Sequence, residues 1–188
     1  MKERIRREIM ERRMNLSKSD YLKKSNKIKK RLFAMTEFKK AKTILFYISY
    51  DKEVLTHNMI KECLSNEKHI VVPITDKKNR RLILSILENW NDLDYGAYGI
   101  LEPKRDKIKD IDISKIELIV VPGVVFDKHG HRIGHGLGYY DGLLKHATNA
   151  FLVGLAFEEQ IIKKIIPESH DIPVHKIVTE KRLIDCRK

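Results

Sequence analysis

The stretch "IELIVVPGVVF" (residues 116–126), followed by "GHRIGHGLGYYDG" (residues 130–142), indicates both the fold and the place of a ligand. The first segment is almost wholly apolar, which is typical of a strand buried on both faces of a parallel sheet. The second carries glycine at every second position from 134 to 138 and leads into a helix that opens at "GYYDGLLKHA". Ligands of open α/β sheets bind beyond the carboxyl ends of the strands, so we expect a ligand beside this glycine loop.

Further strands and helices alternate on either side of this unit. Apolar runs predict strands at 43–49, 69–74, 81–87 and 151–157, and a terminal strand at 175–185. Helices are predicted at 2–14, after Ser17 and after Thr56 as N-caps, and at 158–165. Such alternation predicts an α/β fold with a mainly parallel sheet covered on both faces, in a single domain spanning residues 1–188.

The composition excludes several classes of protein. Apolar residues form 42% of the 188-residue chain, which is typical of a globular rather than a disordered protein. No apolar run approaches the roughly 18–20 residues that span a bilayer, and the start "MKERIRREIMERR" lacks the apolar core of a signal peptide. Cys63 and Cys186 have no C-x-x-C spacing and are expected to be reduced thiols. We therefore expect a cytoplasmic protein without a membrane partner.

The chain is strongly basic, with a formal net charge of +12. Such a protein attracts anions, which leaves nucleic acid, nucleotide phosphates and a polycarboxylate ligand as alternatives. Many of the lysines and arginines between residues 2 and 31 follow a helical pattern typical of a solvated face. No zinc-finger or RNA-recognition signature is present, so nucleic acid is not the expected partner.

The glycine loop has the chemistry of a phosphate site, although its spacing matches neither G-x-x-x-x-G-K-[ST] nor G-x-G-x-x-G. Glycine allows positive φ and close approach to the main chain, so successive N–H groups can converge on an anion. Arg132 adds a positive charge, and Asp141 is able to bind Mg²⁺. The alternative is a glycine-rich turn with a purely structural role and no ligand. His129, His131 and His135 fit no zinc spacing.

The segment "PGVVFDKHGHRIGHGLGYYDGLL" closely resembles the signature of the 5-formyltetrahydrofolate cyclo-ligases, also called 5,10-methenyltetrahydrofolate synthetases. That signature runs P-G-x-x-F-D-x-x-G-x-R-[LI]-G-x-G-x-G-Y-Y-D. The matching residues are Pro122, Gly123, Phe126, Asp127, Gly130, Arg132, Ile133, Gly134, Gly136, Gly138, Tyr139, Tyr140 and Asp141. A pattern of this length and order is far more specific than a short glycine motif.

The resemblance covers nearly the whole chain. The family's K-x-x-x-R helix corresponds to Lys2 and Arg6, and its E-[VI]-x-T element to the segment 53–56. An aromatic before I-x-E-P corresponds to Tyr98, and the C-terminal P-E-x-H-D motif begins the matching segment 167–180. The resemblance implies a three-layer α/β/α fold with a mainly parallel, Rossmann-like open sheet, and the use of ATP with Mg²⁺.

The resemblance also implies an activity and its residues. The reaction converts 5-formyltetrahydrofolate and ATP to 5,10-methenyltetrahydrofolate, ADP and phosphate. The implied catalytic residues are Lys2, Arg6, Arg132 and Asp141, and the implied magnesium ligands are Asp141 and Asp171. The implied ATP contacts are Lys2, Glu3, Arg4, Ile5 and Arg6, and the loop Arg132, Ile133, Gly134, His135, Gly136, Leu137, Gly138, Tyr139 and Tyr140. The implied folate contacts are Ile48, Glu53, Tyr98 and Tyr139.

This chain departs from the family pattern at four positions. His135 and Leu137 occupy variable places between the glycines, where backbone donors are retained. Gly142 stands where an arginine is frequent, and His175 stands where an aspartate is expected. The second magnesium contact is therefore assigned to Asp171 and not to position 175.

Two other hypotheses compete with the cyclo-ligase. One is a basic nucleotide- or RNA-binding module on the same fold without turnover. The other is an isomerase or acyl-CoA transferase relative, which would need a glutamate nucleophile and would leave Lys2 and Arg6 without a role. For the cyclo-ligase we expect a monomer acting on 5-formyltetrahydrofolate, including its polyglutamylated forms.

Overall fold

The computed structural model describes residues 2–169 and 171–188. Within them the helices are α1 (Lys2–Met14), α2 (Lys18–Ala34), α3 (Thr36–Lys40), α4 (His57–Ser65) and α5 (Tyr139–Leu144). The strands are β1 (Thr43–Leu45), β2 (His69–Asp76), β3 (Arg81–Leu87), β4 (Leu93–Tyr95), β5 (Leu101–Pro103), β6 (Leu118–Val121), β7 (Val125–Asp127), β8 (Arg132–Ile133), β9 (Phe151–Leu155), β10 (Ile161–Ile162), β11 (Lys176–Val178) and β12 (Leu183–Asp185).

A seven-stranded sheet forms the centre, in the order β12-β11-β9-β6-β1-β2-β3. Strand β1 pairs in parallel with β2 and β6, and the parallel pairing continues from β6 through β9 to β11. The two edge strands, β3 and β12, pair antiparallel to their neighbours. The predicted mainly parallel sheet is therefore confirmed.

Helices cover both faces of this sheet because successive strand residues point to opposite sides. Ile44 packs with Leu32 of α2 and Ile60 of α4 in one core cluster. Its neighbour Leu45 belongs to the opposite cluster, which includes Leu144 of α5. Each of these side chains is almost wholly buried, and burying one contributes roughly 1.5–3 kcal/mol. The predicted three-layer arrangement is confirmed.

The predicted single strand at 116–126 was wrong, because the chain turns after β6. Strand β7 leaves the large sheet and joins a small one with β8 and β10. A Cβ at Gly123 would lie 2.6 Å from the Phe126 ring, so glycine lets the turn close over this ring. Buried Gln160 fixes the turn by donating from Nε2 to the carbonyls of Gly123 and Val124, at 3.1 and 2.9 Å.

Two other predicted elements near the C-terminus also differ. The expected helix at 158–165 is one 3₁₀ turn, Glu158–Gln160, followed by β10, which pairs in parallel with β7. The expected strand at 175–185 is a hairpin of β11 and β12. Its turn is held by Thr179, whose Oγ1 accepts the backbone N–H of Arg182 at 3.0 Å. A continuous apolar pattern does not reveal such local breaks.

The two predicted helix caps behave differently. Ser17 caps α2, because its Oγ accepts the N–H of Asp20 at 3.0 Å. Thr56 occupies the N-cap position of α4 without capping it. Its Oγ1 donates to the carbonyl of Tyr47 at 2.8 Å and accepts the N–H of Ser49 at 3.0 Å. Thr56 therefore ties the segment after β1 to the start of α4.

None of the helices within residues 2–169 and 171–188 has the length and apolar character needed to cross a membrane.

Candidate active site

A cavity of about 500 Å³ collects residues from distant parts of the chain. It lies beside the glycine loop, the end of the β1 segment and the start of α1. Most residues predicted for the site line it, namely Lys2, Arg6, Ile48, Glu53, Tyr98, Arg132, Ile133, Gly134, His135, Gly136, Leu137, Gly138, Tyr139, Tyr140, Asp141 and Asp171. Glu3, Arg4 and Ile5, which the resemblance implied as ATP contacts, are not among the lining residues.

The glycine loop connects β8 to α5 and forms one wall of the cavity. Gly136 and Gly138 have φ of 95° and 71°, values that L-residues with side chains rarely adopt. Gly138 is also the N-cap of α5. A Cβ at Gly136 would lie 3.5 Å from the nearer guanidinium nitrogen of Arg6, so the loop passes close to this cation. The main chain of the loop is thus open to a ligand.

Arg132 is held rigidly at the base of this loop. Only 8% of its surface is exposed. Its guanidinium donates to the carbonyl of Ile172 at 2.8 Å and to Oδ1 of Asp141 at 2.5 Å. Burial lowers the pKa of Arg132, and the charges of Asp141 and Asp171 partly oppose this shift. Arginine remains protonated in proteins, so a fixed cation faces the loop.

Helix α1 supplies two further cations from one face. Lys2 Nζ lies 2.7 Å from Glu168 Oε1 and 3.4 Å from Asp171 Oδ2. Burial lowers the pKa of Lys2, but the contacts with these two carboxylates outweigh it and raise the pKa above its usual value. Arg6 donates from Nε to the carbonyl of Gly134 at 2.8 Å and pairs with Glu3. Both cations therefore reach the cavity already oriented.

Glu53 is a nearly buried carboxylate that lines the same cavity, with 5% of its surface exposed. Its Oε2 accepts the N–H of Tyr50 at 3.2 Å, and its Oε1 lies 3.2 Å from Nε2 of His135. Burial, followed by the charge of Glu53, raises the pKa of Tyr140, whose hydroxyl has no hydrogen-bond partner among the described residues. The hydroxyl of Tyr140 is therefore protonated at ordinary pH.

Two tyrosines stand at the mouth of the cavity. The hydroxyls of Tyr98 and Tyr139 are 3.5 Å apart. Tyr98 is 52% exposed and has φ of 57°, an uncommon conformation for an aromatic residue. Lys77 Nζ lies 4.1 Å from the centre of the Tyr98 ring. The mouth therefore offers exposed aromatic faces beside a positive charge.

Several lining residues were not singled out by sequence reasoning. They include Tyr50, Glu102 and Glu168. Glu102 accepts the N–H of Thr75 at 2.9 Å, which holds the β4–β5 hairpin against β2. Glu102 and Glu168 lie inside the quoted I-x-E-P and P-E-x-H-D motifs, so their positions in those motifs were the available signal. Tyr50 had no signal beyond its closeness to Glu53.

The acidic residues suit a shared magnesium ion better than a metal bound by protein alone. Within the described part of the chain, no three His, Cys, Asp or Glu side chains group closely enough to hold a metal. Asp141 and Asp171 both line the cavity, and the charge of each acts to raise the pKa of Arg132. Mg²⁺ commonly binds through one or two carboxylates together with substrate phosphates and water. The donor set therefore fits Mg²⁺ that arrives with a nucleotide.

Known proteins of one enzyme family match between 73% and 100% of this chain. A solved structure of Aquifex aeolicus 5,10-methenyltetrahydrofolate synthetase matches all of this chain and 93% of its own, with a TM-score of 0.89 and 33% identity. The 5-formyltetrahydrofolate cyclo-ligase of Haemophilus influenzae is 29% identical over 94% of this chain and 96% of its own. That of Saccharomyces cerevisiae is 32% identical over 73% of this chain and 75% of its own.

The family model for the 5-formyltetrahydrofolate cyclo-ligases matches residues 1–180, a range that includes every residue of the glycine loop and both aspartates. With the fold and the cavity described above, this match decides the family. The chain belongs to the 5-formyltetrahydrofolate cyclo-ligase family.

Proposed function

We propose that this protein converts 5-formyltetrahydrofolate and ATP to 5,10-methenyltetrahydrofolate, ADP and phosphate. The family uses ATP as co-substrate. The observation that carries the proposal is a single cavity lined by two chemically different sets of residues. We call the glycine loop, Arg132, Lys2 and Arg6 the cationic half, and Tyr98, the Tyr139 ring, Ile48 and Glu53 the aromatic half. The first suits a triphosphate, and the second suits a folate.

The cationic half would align the terminal phosphates. Phosphoryl transfer depends mainly on alignment and on positive charge around the transferring group. Backbone N–H groups from Gly134 to Tyr140 and the guanidinium of Arg132 would bind phosphate oxygens. Lys2 and Arg6 would bind the outermost oxygens, with phosphate taking the place of Glu168 as a partner of Lys2. Glu3, Arg4 and Ile5 belong to the same part of α1 but do not line the cavity. They would therefore lie farther from the phosphates than Lys2 and Arg6.

Asp141 and Asp171 would hold Mg²⁺ beside the phosphates. When bound, the ion offsets negative charge on the transferring group. Asp141 already pairs with Arg132 at 2.5 Å, so its carboxylate is held at the edge of the loop. Asp171 accepts the N–H of Glu168 at 2.8 Å and is likewise fixed in position.

The aromatic half would hold the folate with its formyl group toward the phosphates. Tyr98 and Tyr139 offer ring faces for the pterin or aminobenzoyl ring, and Ile48 offers an apolar wall. Glu53 would accept hydrogen bonds from pterin amine and amide groups, or orient N10. Polyglutamylated folate would suit the basic surface, and we propose that the enzyme acts as a monomer in the cytoplasm.

The reaction requires activation because a formamide oxygen is a poor leaving group. In the proposed first step the formyl oxygen attacks the γ-phosphorus, and the bond from that phosphorus to ADP breaks. N10 then attacks the formyl carbon and loses its proton to solvent. Phosphate leaves with the original formyl oxygen, so the methenyl bridge and inorganic phosphate are the products.

The direct test is to mix the protein with 5-formyltetrahydrofolate and magnesium ATP and to follow the absorbance of the methenyl product. Release of ADP should match product formation one to one. The control variant is Lys27→Ala, on the exposed side of α2, which should retain full activity. A folded protein that forms no product but binds RNA in a salt-sensitive manner would instead favour the binding module.

A further inference from the structure

The turn that carries Glu53 is conformationally strained. Asp51 and Lys52 have φ of 43° and 55°, so two successive residues with side chains occupy the left-handed region. Such conformations persist only where the surrounding structure holds them. The N–H of Glu53 donates to the carbonyl of Tyr50 at 2.9 Å, which closes the turn on itself. Any contact that fixes this turn also fixes the buried carboxylate beside it.

Lys52 supplies such a contact. Its Nζ donates to the carbonyl of Met14 at 2.5 Å and to that of Leu16 at 2.7 Å. The Met14 carbonyl lies at the C-terminal end of α1, where carbonyls lack partners within the helix and carry partial negative charge, and the Leu16 carbonyl follows two residues later. The ammonium of Lys52 therefore joins the Glu53 turn to the end of α1.

The other end of the same helix reaches the proposed phosphate contacts. Helix α1 has 13 residues, which is about 20 Å of length. Lys2 contacts Glu168 and Asp171 near its first turn, and Arg6 contacts Gly134 one turn later. One helix thus contacts the cationic half directly and, through Lys52, the turn that carries Glu53.

A second observation connects the end of α1 with Glu53. Arg13 is fully buried, and none of its guanidinium nitrogens has a hydrogen-bond partner among the described residues. Burial is the main cause that raises the pKa of Tyr47 and of Tyr50, and the charge of Glu53 is the next. The charge of Arg13 lowers both pKa values. The charges of Arg13 and Glu53 therefore act on the same two tyrosines, buried Tyr47 and half-buried Tyr50, one from the helix and one from the turn.

We propose that Lys52 is a positioning residue for folate. It acts through the end of α1, which holds the turn that aims the Glu53 carboxylate into the cavity. This inference rests on the proposed function, since it assigns Glu53 to the folate half. A misplacement of about 1 Å in a reacting group lowers rates by about 100-fold, so even a small shift of the turn should be measurable.

The test uses Lys52→Met, which keeps the length of the side chain and removes the ammonium. Lys52→Arg is the rescue variant, because a guanidinium is also able to donate to two carbonyls. Lys27→Met is the matched control on an exposed face of α2. For each variant we would measure kcat, the KM for 5-formyltetrahydrofolate and the KM for ATP. Amide hydrogen exchange of residues 50–54 would report on the turn itself.

We expect Lys52→Met to lower kcat/KM for 5-formyltetrahydrofolate at least tenfold, while the KM for ATP changes less than twofold. Exchange at the Glu53 amide should accelerate by a similar factor, and Lys52→Arg should restore both properties. Unchanged exchange and unchanged folate kinetics in Lys52→Met would overturn the proposal, as would an equal rise in the KM for 5-formyltetrahydrofolate and the KM for ATP. If the wild-type protein lacks cyclo-ligase activity, the proposed function fails, whereas exchange and direct binding of 5-formyltetrahydrofolate still decide the role of Lys52.

Discussion

Replacing Gly134 by alanine separates the ligand role of the glycine loop from its structural role. Gly134 has no positive φ, and a Cβ built there meets nothing within 4 Å. The folded chain should therefore accept Gly134→Ala without strain. Loss of glycine's freedom in the unfolded chain should raise the free energy of unfolding by about 0.4–1 kcal/mol. For a protein of this size, that corresponds to a melting temperature about 1–4 °C higher.

The same methyl group would stand where a phosphate approaches the main chain. We expect the KM for ATP to rise at least tenfold, equivalent to about 1.4 kcal/mol of lost binding. Thermal denaturation and steady-state kinetics of methenyl formation measure the two effects separately. Gly142→Ala is the matched control, because its Cβ also meets nothing and Gly142 does not line the cavity. A Gly134→Ala enzyme with unchanged KM for ATP would refute the reasoning that phosphate contacts this backbone.

Three further substitutions test the site and its surroundings. Arg132→Met should lower kcat by about 10²–10³, because loss of one donor to the charge of the transition state typically has this effect. The assay is methenyl formation, and a kcat lowered less than tenfold would contradict this role. Arg13→Met should raise the free energy of unfolding by about 1 kcal/mol or more, because a fully buried guanidinium without hydrogen bonds is costly; a lower melting temperature would show that its charge is compensated. Burial lowers the pKa of His175, whose Nδ1 accepts the N–H of Leu152 at 2.9 Å. The folded state therefore favours the neutral form of His175. This contribution to the free energy of unfolding is fully present above the unfolded pKa of 6.5 and is lost as pH falls through the lower folded pKa. His175→Asn should therefore weaken the fall in melting temperature below about pH 6.5, and an unchanged pH dependence would exclude His175 as its source.

The layered arrangement of the fold was predictable from the sequence because the strands have continuous apolar patterns. Buried parallel strands such as β6 and β9 require apolar residues on both faces. The same pattern could not reveal that the chain leaves the large sheet at Gly123, since the apolar run continues through Val124, Val125 and Phe126 after the turn. The break depends on Phe126 packing against two glycines, and such a contact exists only in three dimensions.

The candidate site was predictable where it depends on a contiguous motif. The residues from Arg132 to Asp141 are close in sequence, and the structure places them together on one cavity wall. Lys52 was missed because its partners are backbone carbonyls, and any residue type provides a backbone carbonyl. The role of His175 was also hidden, because an imidazole that accepts a backbone N–H has no sequence pattern of its own.

The contact between Arg6 and Gly134 joins residues 128 positions apart. A ribosome adds about 5–20 residues per second, so α1 emerges roughly 6–26 s before the loop that it must grip. During this interval Ile9 has no access to Val125 and Ile133, against which it later packs. We expect the nascent helix to be a target for chaperones that shield apolar surface, and catalytic competence to be among the last properties acquired during translation.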